Sequence, residues 1–180
     1  MKKNLKIAIS GKSGCGNTTV SKLVAKKLGL NFINYTFHNM AFEQNIEFEE
    51  FCKKAQADPS YDYALDKKQI ELANQGGCVL ASRLSVWLLK DAILKVFLTA
   101  SKEERAKRIL KREGGDYAAQ LEKTTARDER DHSRYLQLYN IDNDKFDFVD
   151  LVINTNRLSA KAVAKIIIKT AKLVEAKGSE

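Results

Sequence analysis

The chain alternates short apolar segments with longer segments in which apolar residues recur at helical spacing. The short segments, which we predict to be strands, lie at residues 5–10, 32–33, 78–81, 94–98 and 151–153. The longer segments predict helices at residues 18–28, 40–73, 102–112, 117–139 and 159–176. Such alternation is typical of βαβ units. We therefore expect an α/β fold, a doubly wound parallel sheet with helices on both faces.

Glycine, proline and serine indicate where these helices begin and end. Gly29 suits a C-terminal cap, and Pro59, the only proline, breaks the long helical pattern of residues 40–73. Two glycines at residues 114–115 separate the two helices of the second half, and Ser159 suits the N-cap of the last helix.

The composition indicates one soluble domain, residues 1–180. Hydrophobic residues make up 44% of the chain and charged residues 30%, which argues against a disordered protein. No apolar run reaches the ~18–20 residues of a membrane-spanning helix, and the apolar stretch near the start is too short for a secretory signal. Cys15, Cys52 and Cys78 show no paired metal-ligand spacing. We therefore expect a cytoplasmic protein with no disulfide and no membrane partner.

The charge balance favours an anionic partner without identifying it. Lys and Arg number 31 against 23 Asp and Glu, for a net charge of +8. The basic residues are spread along the chain and interleaved with acids, and no concentrated basic arm or nucleic-acid-binding module is visible. We therefore rank a nucleic acid last among the possible anions and expect none as a partner.

A glycine-rich segment, GKSGCGNTT at residues 11–19, lies between the first predicted strand and the first predicted helix. Its glycines allow the backbone to curl around an anion, and the helix start adds unpaired N–H groups. Thr18 stands where such loops carry the hydroxyl that binds magnesium. An ordinary glycine-rich turn is the alternative. The residues expected to hold the phosphates of ATP are Gly11, Ser13, Gly14, Cys15, Gly16, Asn17, Thr18 and Thr19.

Asn17 departs from the phosphate-loop motif G-x-x-x-x-G-K-[ST], which has lysine at this position. That lysine is a point charge on the β- and γ-phosphates. Losing one preorganised transition-state donor commonly costs ~2.7–4 kcal/mol. We hypothesise that Lys12, in the same loop, partly takes over this role; the alternative is that Lys12 faces solvent.

One predicted helix carries Arg127, Asp131 and Arg134 on a single face, at i, i+4 and i+7. Asp131 can brace both guanidinium groups while they point at one anion, and arginine contacts phosphate oxygens bidentately. A solvated helix face with local ion pairs is the alternative. Beside a phosphate loop, we favour the functional interpretation.

Two other places carry arginines of interest. Arg105, Arg108 and Arg112 share a helical face, where acids such as Glu104 also allow simple ion pairs. Arg83 follows the strand at residues 78–81, at the edge of a parallel sheet where ligands bind. We expect Arg83 to hold a phosphate; a surface ion pair is the alternative.

These residues together resemble cytidylate kinases, especially the short archaeal-type and cytidylate kinase-like proteins among the P-loop nucleoside monophosphate kinases. The likeness extends to about residue 158. Beyond the loop it rests on the segments SRL (82–84), SKEERA (101–106), RDERDHSRY (127–135) and DLVINT (150–155). The resemblance implies magnesium-dependent transfer of a phosphoryl group from ATP to CMP or dCMP. The implied partners are ATP and a nucleoside monophosphate, and we expect a monomer or a weak homodimer.

The resemblance also implies roles for individual residues. Arg83 would hold the phosphate of the monophosphate, with Arg105 and Arg134 beside it. Arg127 would contact the phosphates on closure, and Asp131 would position the base, the sugar or the arginines around it. The expected catalytic residues are Lys12, Arg127, Asp131 and Arg134.

The resemblance divides the chain into a core and two functional segments. Residues 34–75 would form the insertion that binds the phosphoryl acceptor, and residues 102–135 would include a mobile lid. His38 falls where the family has an arginine in that insertion, and Ala81 and Ser82 replace a glutamate and a glycine. A nucleotide-binding protein without appreciable catalysis and a kinase of another small metabolite remain open as alternatives.

Overall fold

The computed structural model describes residues 5–177 and contains a five-stranded parallel sheet covered by helices. The strands are β1 (Lys6–Gly11), β2 (Asn31–Ile33), β3 (Cys78–Ala81), β4 (Leu94–Thr99) and β5 (Leu151–Asn154). The helices are α1 (Asn17–Leu28), α2 (Phe37–Glu43), α3 (Phe48–Ala57), α4 (Ser60–Ala73), α5 (Ser85–Leu88), α6 (Lys102–Glu113), α7 (Tyr117–Tyr139) and α8 (Ala160–Lys177).

The strand order is β2-β3-β1-β4-β5, so the first strand lies at the centre of the sheet. Ile7 of β1 is paired with Val79 on one side and with Leu94 on the other, and every pairing is parallel. The segments that follow β1 and β3 therefore leave the sheet side by side at its carboxyl edge. This is the edge where open α/β sheets bind ligands. The predicted doubly wound parallel sheet is confirmed.

The two faces of the sheet bury separate apolar clusters. On one face, Ile7 and Ile9 pack with Val24 of α1 and Ile167 of α8, all of them 0% exposed. On the other face, a second cluster combines residues of β1, β3 and β4 with residues of α4 and α5. Its buried members are Ala8, Ile33, Ala73, Cys78, Leu80, Val86, Leu89 and Phe97. This division follows from the alternation of side chains along a strand.

The segment between β2 and β3 has a small core of its own. Phe51 of α3 is fully buried and packs with Met40, Ala41 and Ala55, and Tyr61 meets its ring edge-on at 5.1 Å between centroids. α4 then returns this segment to the sheet, where Ile70 and Ala73 join the second cluster. The segment is thus a helical insertion anchored on the sheet by its last helix.

The insertion contains one break that the sequence pattern did not predict. The expected helix of residues 40–73 breaks at Pro59 as predicted, but also between α2 and α3. Asn45 has a φ of 54°, and the N–H of Ile46 donates to the carbonyl of Ala41. Asparagine adopts this left-handed conformation more readily than most residues, so it ends α2 as a glycine would.

No helix within residues 5–177 combines the length and the apolar character needed to cross a lipid bilayer.

Candidate functional site

The loop between β1 and α1 has a backbone that only glycine accommodates at several positions. Gly14 and Gly16 have φ values of 86° and 92°. A Cβ on Gly14 would lie 2.8 Å from Cβ of Arg105, and one on Gly11 would lie 2.6 Å from the carbonyl oxygen of Leu98. Side chains there would force the loop away from α6 and β4. The sequence thus specifies a tightly packed loop with its backbone close to the cavity described below.

Cys15 is buried and holds the middle of this loop in place. It is 2% exposed, its N–H donates to the carbonyl of Lys12, and its own carbonyl accepts from the Thr155 hydroxyl. Burial raises the pKa of the Cys15 thiol to about 11, so the side chain is a neutral packing group. Cys15 therefore holds the shape of the loop through its packing and its backbone hydrogen bonds.

Asn17 uses both ends of its side-chain amide inside the protein. Its Nδ2 donates to the carbonyl of Ser82 at 3.2 Å, and its Oδ1 accepts from the Ser21 hydroxyl at 3.2 Å. The amide therefore ties the start of α1 to the end of β3 and brings no positive charge to the loop. A phosphate bound here has to be neutralised by other side chains.

Lys12 lines the cavity, but its ammonium group is paired with the loop before β5. Its Nζ lies 2.5 Å from Oδ1 of Asp144, which is more than half exposed. The hypothesis that Lys12 replaces the missing loop lysine stays a prediction. In this conformation the lysine has an acidic partner that it would have to exchange for a phosphate.

Thr18 suits a magnesium ion that accompanies ATP. Its side chain is exposed in the first turn of α1 and lines the cavity, with Nδ2 of Asn34 at 3.5 Å from its Oγ1. Mg²⁺ prefers hard oxygen ligands and takes most of them from water and substrate phosphates. A single hydroxyl beside a phosphate-binding backbone fits that preference. The metal-binding role of Thr18 remains a prediction.

Arg83, Arg127 and Asp131 come together above the loop. Nε of Arg83 lies 3.2 Å from Oδ2 of Asp131, and Arg127 donates to the Ser13 hydroxyl at 3.2 Å. Arg127 has no ion pair with a carboxylate among residues 5–177. Its partial burial and the positive charge of Arg83 lower the pKa of its guanidinium group. Two cations held close together near an empty cavity favour the binding of an anion.

Tyr135 supports this arrangement from the next turn of α7. It is 9% exposed and contacts Arg83 through its hydroxyl. Burial raises the pKa of the Tyr135 phenol to about 12, so the group is neutral near pH 7. Asp131 and Tyr135 thus hold the Arg83 side chain, which is 41% exposed, at the end of β3.

Arg105, which the sequence interpretation placed beside the phosphoryl acceptor, does not line the cavity. It is 2% exposed, and its guanidinium group pairs with both oxygens of Asp128 at 3.0 and 2.5 Å. The same group donates to the carbonyls of Ser13 and Ala100. With its donors used in this way, Arg105 joins α6, α7 and the loop. A direct contact with a phosphoryl acceptor finds no support in this geometry.

Arg134 reaches the cavity and ties α7 to the helical insertion. Its guanidinium group donates to both carboxylate oxygens of Asp62, and also to the carbonyl of Ala55 at 2.6 Å. Asp62 is 7% exposed. Arg134 is therefore held by the insertion at one end of the cavity, and its predicted catalytic role remains a prediction.

His38 also lies outside the cavity lining. Its ring stacks on Phe48 with 3.4 Å between centroids, and the residue is exposed on the insertion. A stacked surface position is an ordinary one for a histidine. The structure therefore does not support His38 as a phosphoryl-acceptor ligand.

One cavity of about 920 Å³ joins the loop, the end of β3, α7 and the insertion. Its volume is in the range of pockets that enclose small organic ligands. Basic side chains outnumber acidic ones on its wall. The basic residues are Lys12, Arg83, Arg108, Arg112, Arg127, Arg130 and Arg134, and the acidic ones are Asp62, Asp66 and Asp131. The charge of this wall therefore favours an anionic ligand.

Sequence reasoning missed several of these residues. Arg130 lines the cavity without an ion-pair partner among the described residues, and its spacing of three from Arg127 was a usable signal. Asp66 and Gln69 of α4 also line the cavity. Their signal, polar residues at i and i+3 on the face that carries Ala73 into the core, was visible in the sequence but was not used.

The comparisons with known proteins agree with this geometry. Residues 6–157 match the sequence model of the cytidylate kinase-like family. The chain is 50% identical to cytidylate kinase 2 of Borreliella afzelii over 91% of its own length and 94% of the relative. It is 39% identical to cytidylate kinase of Archaeoglobus fulgidus over 96% of this chain and 98% of that one.

Solved structures show the same fold at lower sequence identity. Shikimate kinase from Bacteroides thetaiotaomicron superposes with a TM-score of 0.66 at 14% identity, over 93% of this chain and 98% of that one. At this identity the likeness concerns the fold alone. The sequence matches extend over nearly the whole of each relative, and this chain belongs to the cytidylate kinase-like family.

Proposed function

We propose that this chain transfers the γ-phosphoryl group of ATP to a nucleoside monophosphate, CMP or dCMP. The observation that carries the proposal is the convergence of the glycine-rich loop, Arg83 just after β3 and the arginines of α7 on one cavity. A phosphoryl donor and a phosphoryl acceptor both carry negative charge, and such a wall accommodates both. The identity to curated cytidylate kinases points to a cytidine monophosphate as the acceptor.

Each part of the site has a distinct task in this proposal. The N–H groups of the loop would surround the β- and γ-phosphates, and the hydroxyl of Thr18 would be the protein ligand of the magnesium bound to ATP. Arg83, held by Asp131 and Tyr135, would bind the phosphate of the monophosphate. Arg127, next to Ser13, would lie between the two substrates. The magnesium neutralises phosphate charge when it is bound.

Phosphoryl transfer of this kind needs positioning and charge neutralisation, with no covalent enzyme intermediate. The arginines have to neutralise more phosphate charge here than in loops with a lysine, because Asn17 is neutral and its side-chain amide is hydrogen-bonded within the protein. Arg127 has no ion pair with a carboxylate among the described residues, so it is the cation best placed to stabilise the charge that develops on the transferring group. Arg134 and Lys12 would first have to loosen their pairs with Asp62 and Asp144.

The test is a coupled assay of ADP release with Mg-ATP and, in turn, CMP, dCMP, UMP, AMP and GMP. We expect turnover with CMP and dCMP that is lost when magnesium is chelated. Replacement of Arg127 by alanine should lower kcat by about 100- to 1,000-fold. Lys123→Ala, an exposed site on the same helix outside the cavity, is the matched control and should keep wild-type turnover. Absence of ADP with all five nucleotides would refute the proposal.

A second candidate function rests on Asn17. A loop without its lysine, with an amide committed to Ser82 and Ser21, also suits a protein that binds nucleotides and turns them over slowly or not at all. Calorimetric titration with a non-hydrolysable ATP analogue and with CMP distinguishes the two. Tight binding of both ligands without ADP release favours the nucleotide-binding protein, and turnover favours the kinase.

A further inference from the structure

The loop after α7 turns back against the helix that it leaves. Asn140 has a φ of 54° and ends α7, and the N–H of Ile141 donates to the carbonyl of Tyr135. Asparagine adopts this left-handed conformation readily, so the chain reverses its direction there. The reversal brings residues 142–144 beside His132, which lies about two turns before the helix ends.

Four side chains at this reversal direct nitrogen and oxygen atoms at one another. Nδ1 of His132 lies 2.9 Å from Oδ1 of Asn143. It also lies 3.6 Å from Oδ1 of Asp142 and 3.6 Å from Oδ2 of Asp144. The ring nitrogen and these two carboxylate oxygens are all within 4.8 Å of one another. These four residues form the His132 cluster.

Asn143 distinguishes the His132 cluster from a group of surface charges. It is only 6% exposed, and its amide oxygen approaches the ring nitrogen from the buried side. An imidazole nitrogen, an amide oxygen and two carboxylates make a mixed ligand set of the type that first-row divalent metals take. Bonds of about 2.0–2.2 Å hold neighbouring ligand atoms about 3.0–3.5 Å apart, so small side-chain shifts would complete the site.

Lysines already neutralise the outer oxygens of both carboxylates. Nζ of Lys145 lies 3.4 Å from Oδ2 of Asp142, and Nζ of Lys12 lies 2.5 Å from Oδ1 of Asp144. Each lysine thus uses the oxygen that is not directed at His132. The inner oxygens face the ring nitrogen, and the one on Asp142 also accepts from the N–H of Asp144 at 3.1 Å. A cation between these atoms would have two negative charges beside it.

We propose that His132, Asp142 and Asp144 bind a first-row divalent metal ion, with Zn²⁺ as its probe and the amide oxygen of Asn143 as a fourth donor. The metal takes the place of the proton on Nδ1, and that proton passes to solvent. The nitrogen ligand favours such an ion over Mg²⁺, which prefers oxygen alone. The site uses none of the residues assigned to the magnesium of ATP and does not depend on the proposed function.

Asp144 couples the His132 cluster to the glycine-rich loop, because it also holds Lys12. A divalent ion on Oδ2 weakens the attraction of this carboxylate for the ammonium group on Oδ1. The metal and Lys12 therefore compete, and each weakens the hold of the other on Asp144 by the same factor. Only the consequence rests on the proposed function: the bound metal would release Lys12 toward a phosphate.

The test is calorimetric titration of Zn²⁺ into the whole chain, without a histidine tag, freed of metal and with Mg²⁺ in excess. We expect one equivalent of Zn²⁺ to bind in the micromolar range. His132→Gln and Asp144→Asn should each weaken binding by at least about tenfold. The matched controls, His38→Gln and Asp147→Asn, make the same changes at exposed residues outside the cluster and should keep wild-type affinity.

Lys12→Ala tests the competition for Asp144. Removing the ammonium group should raise the affinity for Zn²⁺ by about 1.5- to 5-fold, the equivalent of one exposed ion pair. An unchanged affinity would overturn the competition. This readout involves no ADP, so it is independent of whether the chain is a kinase.

Proton NMR of the wild-type protein identifies the ligand without any variant. The chain has two histidines, His38 and His132. We expect Zn²⁺ to shift the ring signals of His132 and to leave those of His38 in place. Absence of Zn²⁺ binding, a shift confined to His38, or wild-type affinity in His132→Gln would each overturn the proposal. So would a loss of binding in Cys52→Ser, because the metal would then belong to a thiol.

Discussion

At the scale of single residues, Gly14 is required for two separate reasons. Its φ of 86° is strained for any residue with a Cβ, and an added Cβ would lie 2.8 and 2.9 Å from Cβ and the carbonyl oxygen of Arg105. At Gly114 only the positive φ requires glycine, because its φ is 75° but a Cβ there would meet nothing within 4 Å. The pair therefore distinguishes backbone strain from loss of space.

We expect Gly14→Ala to destabilise the protein more than Gly114→Ala. Strain alone costs about 1 kcal/mol, and the contact with Arg105 should add about 1–3 kcal/mol. Urea unfolding measures both, and the affinity for an ATP analogue should fall only in Gly14→Ala. Equal losses of stability in the two variants would show that the close approach to α6 contributes nothing.

Asp66 has a raised pKa. Burial is the main reason that this pKa lies at about 6 instead of the ordinary 3.8; the hydrogen bond from Tyr139 lowers it and the charge of the neighbouring Asp62 raises it.

The same raised pKa affects stability with a definite sign. Between about pH 4 and pH 6 the folded protein keeps the Asp66 proton that the unfolded chain releases. This contribution to stability is therefore present at low pH and is lost as the pH rises through 6.

Residue-scale prediction from the sequence succeeded where one residue type has a single physical use. Glycines in a strand-loop-helix context indicated a tight loop, and Gly14 and Gly16 have the positive φ that this requires. It did not reveal the surroundings of Arg105 and His38, because arginine serves buried ion pairs as readily as anion sites and histidine often stacks on surface aromatics. Local spacing does not reveal whether Asp128 or a substrate phosphate lies opposite a guanidinium group.

At the scale of elements, the Arg105–Asp128 pair joins α6 to α7 and both to the loop. The two side chains are 3% and 9% exposed, and Arg105 also donates to the Ser13 carbonyl. Arg105→Ala should destabilise the protein by about 3–5 kcal/mol, because Asp128 would be left buried and unpaired. Urea unfolding gives the change in free energy.

A double variant tests whether the loss comes from the unpaired charge. Arg105→Met combined with Asp128→Leu should recover most of the stability, since no buried charge remains. Lys54→Ala, which breaks the exposed Lys54–Glu50 pair, is the control and should change the midpoint little. A double variant as unstable as Arg105→Ala would contradict this explanation.

The strands and most helices were predictable because each has a clear period and a clear boundary residue. The structural elements α1 and α7 lie within a residue or two of the predicted segments 18–28 and 117–139. The break at Asn45 was not predictable in the same way, because asparagine tolerates helices as well as left-handed turns. The packing of α2 and α3 around Phe51 selects the turn.

At the scale of the whole molecule, the cavity depends on contacts between segments far apart in sequence. α7 contacts three of these segments. Its Arg127 bonds to the loop, its Asp131 pairs with Arg83 just after β3, and its Arg134 pairs with Asp62 of the insertion. The family resemblance predicted that these segments belong together, and the family match over residues 6–157 confirms the family. The pairing of Lys12 with Asp144 was beyond such reasoning, since it depends on where the loop between α7 and β5 lies.

That pairing gives the last prediction. Asp144 holds the ammonium of Lys12 at 2.5 Å, so a phosphate must compete with a carboxylate for this charge. If Lys12 substitutes for the missing loop lysine, Asp144→Asn should free it and raise kcat/KM for ATP by about 1.5- to 5-fold, the equivalent of one exposed ion pair. Lys12→Ala should lower the same constant.

The origin of the gain is open to a direct check. Asp147→Asn makes the same charge change in the same loop, at an exposed residue without an ion pair among the described residues, and should produce no comparable gain. The double variant Lys12→Ala with Asp144→Asn should behave like Lys12→Ala, because the released group is then absent. A gain that survives in the double variant would mean that Asp144 acts through the overall electrostatic field of the cavity, and it would refute Lys12 as the substitute for the missing loop lysine.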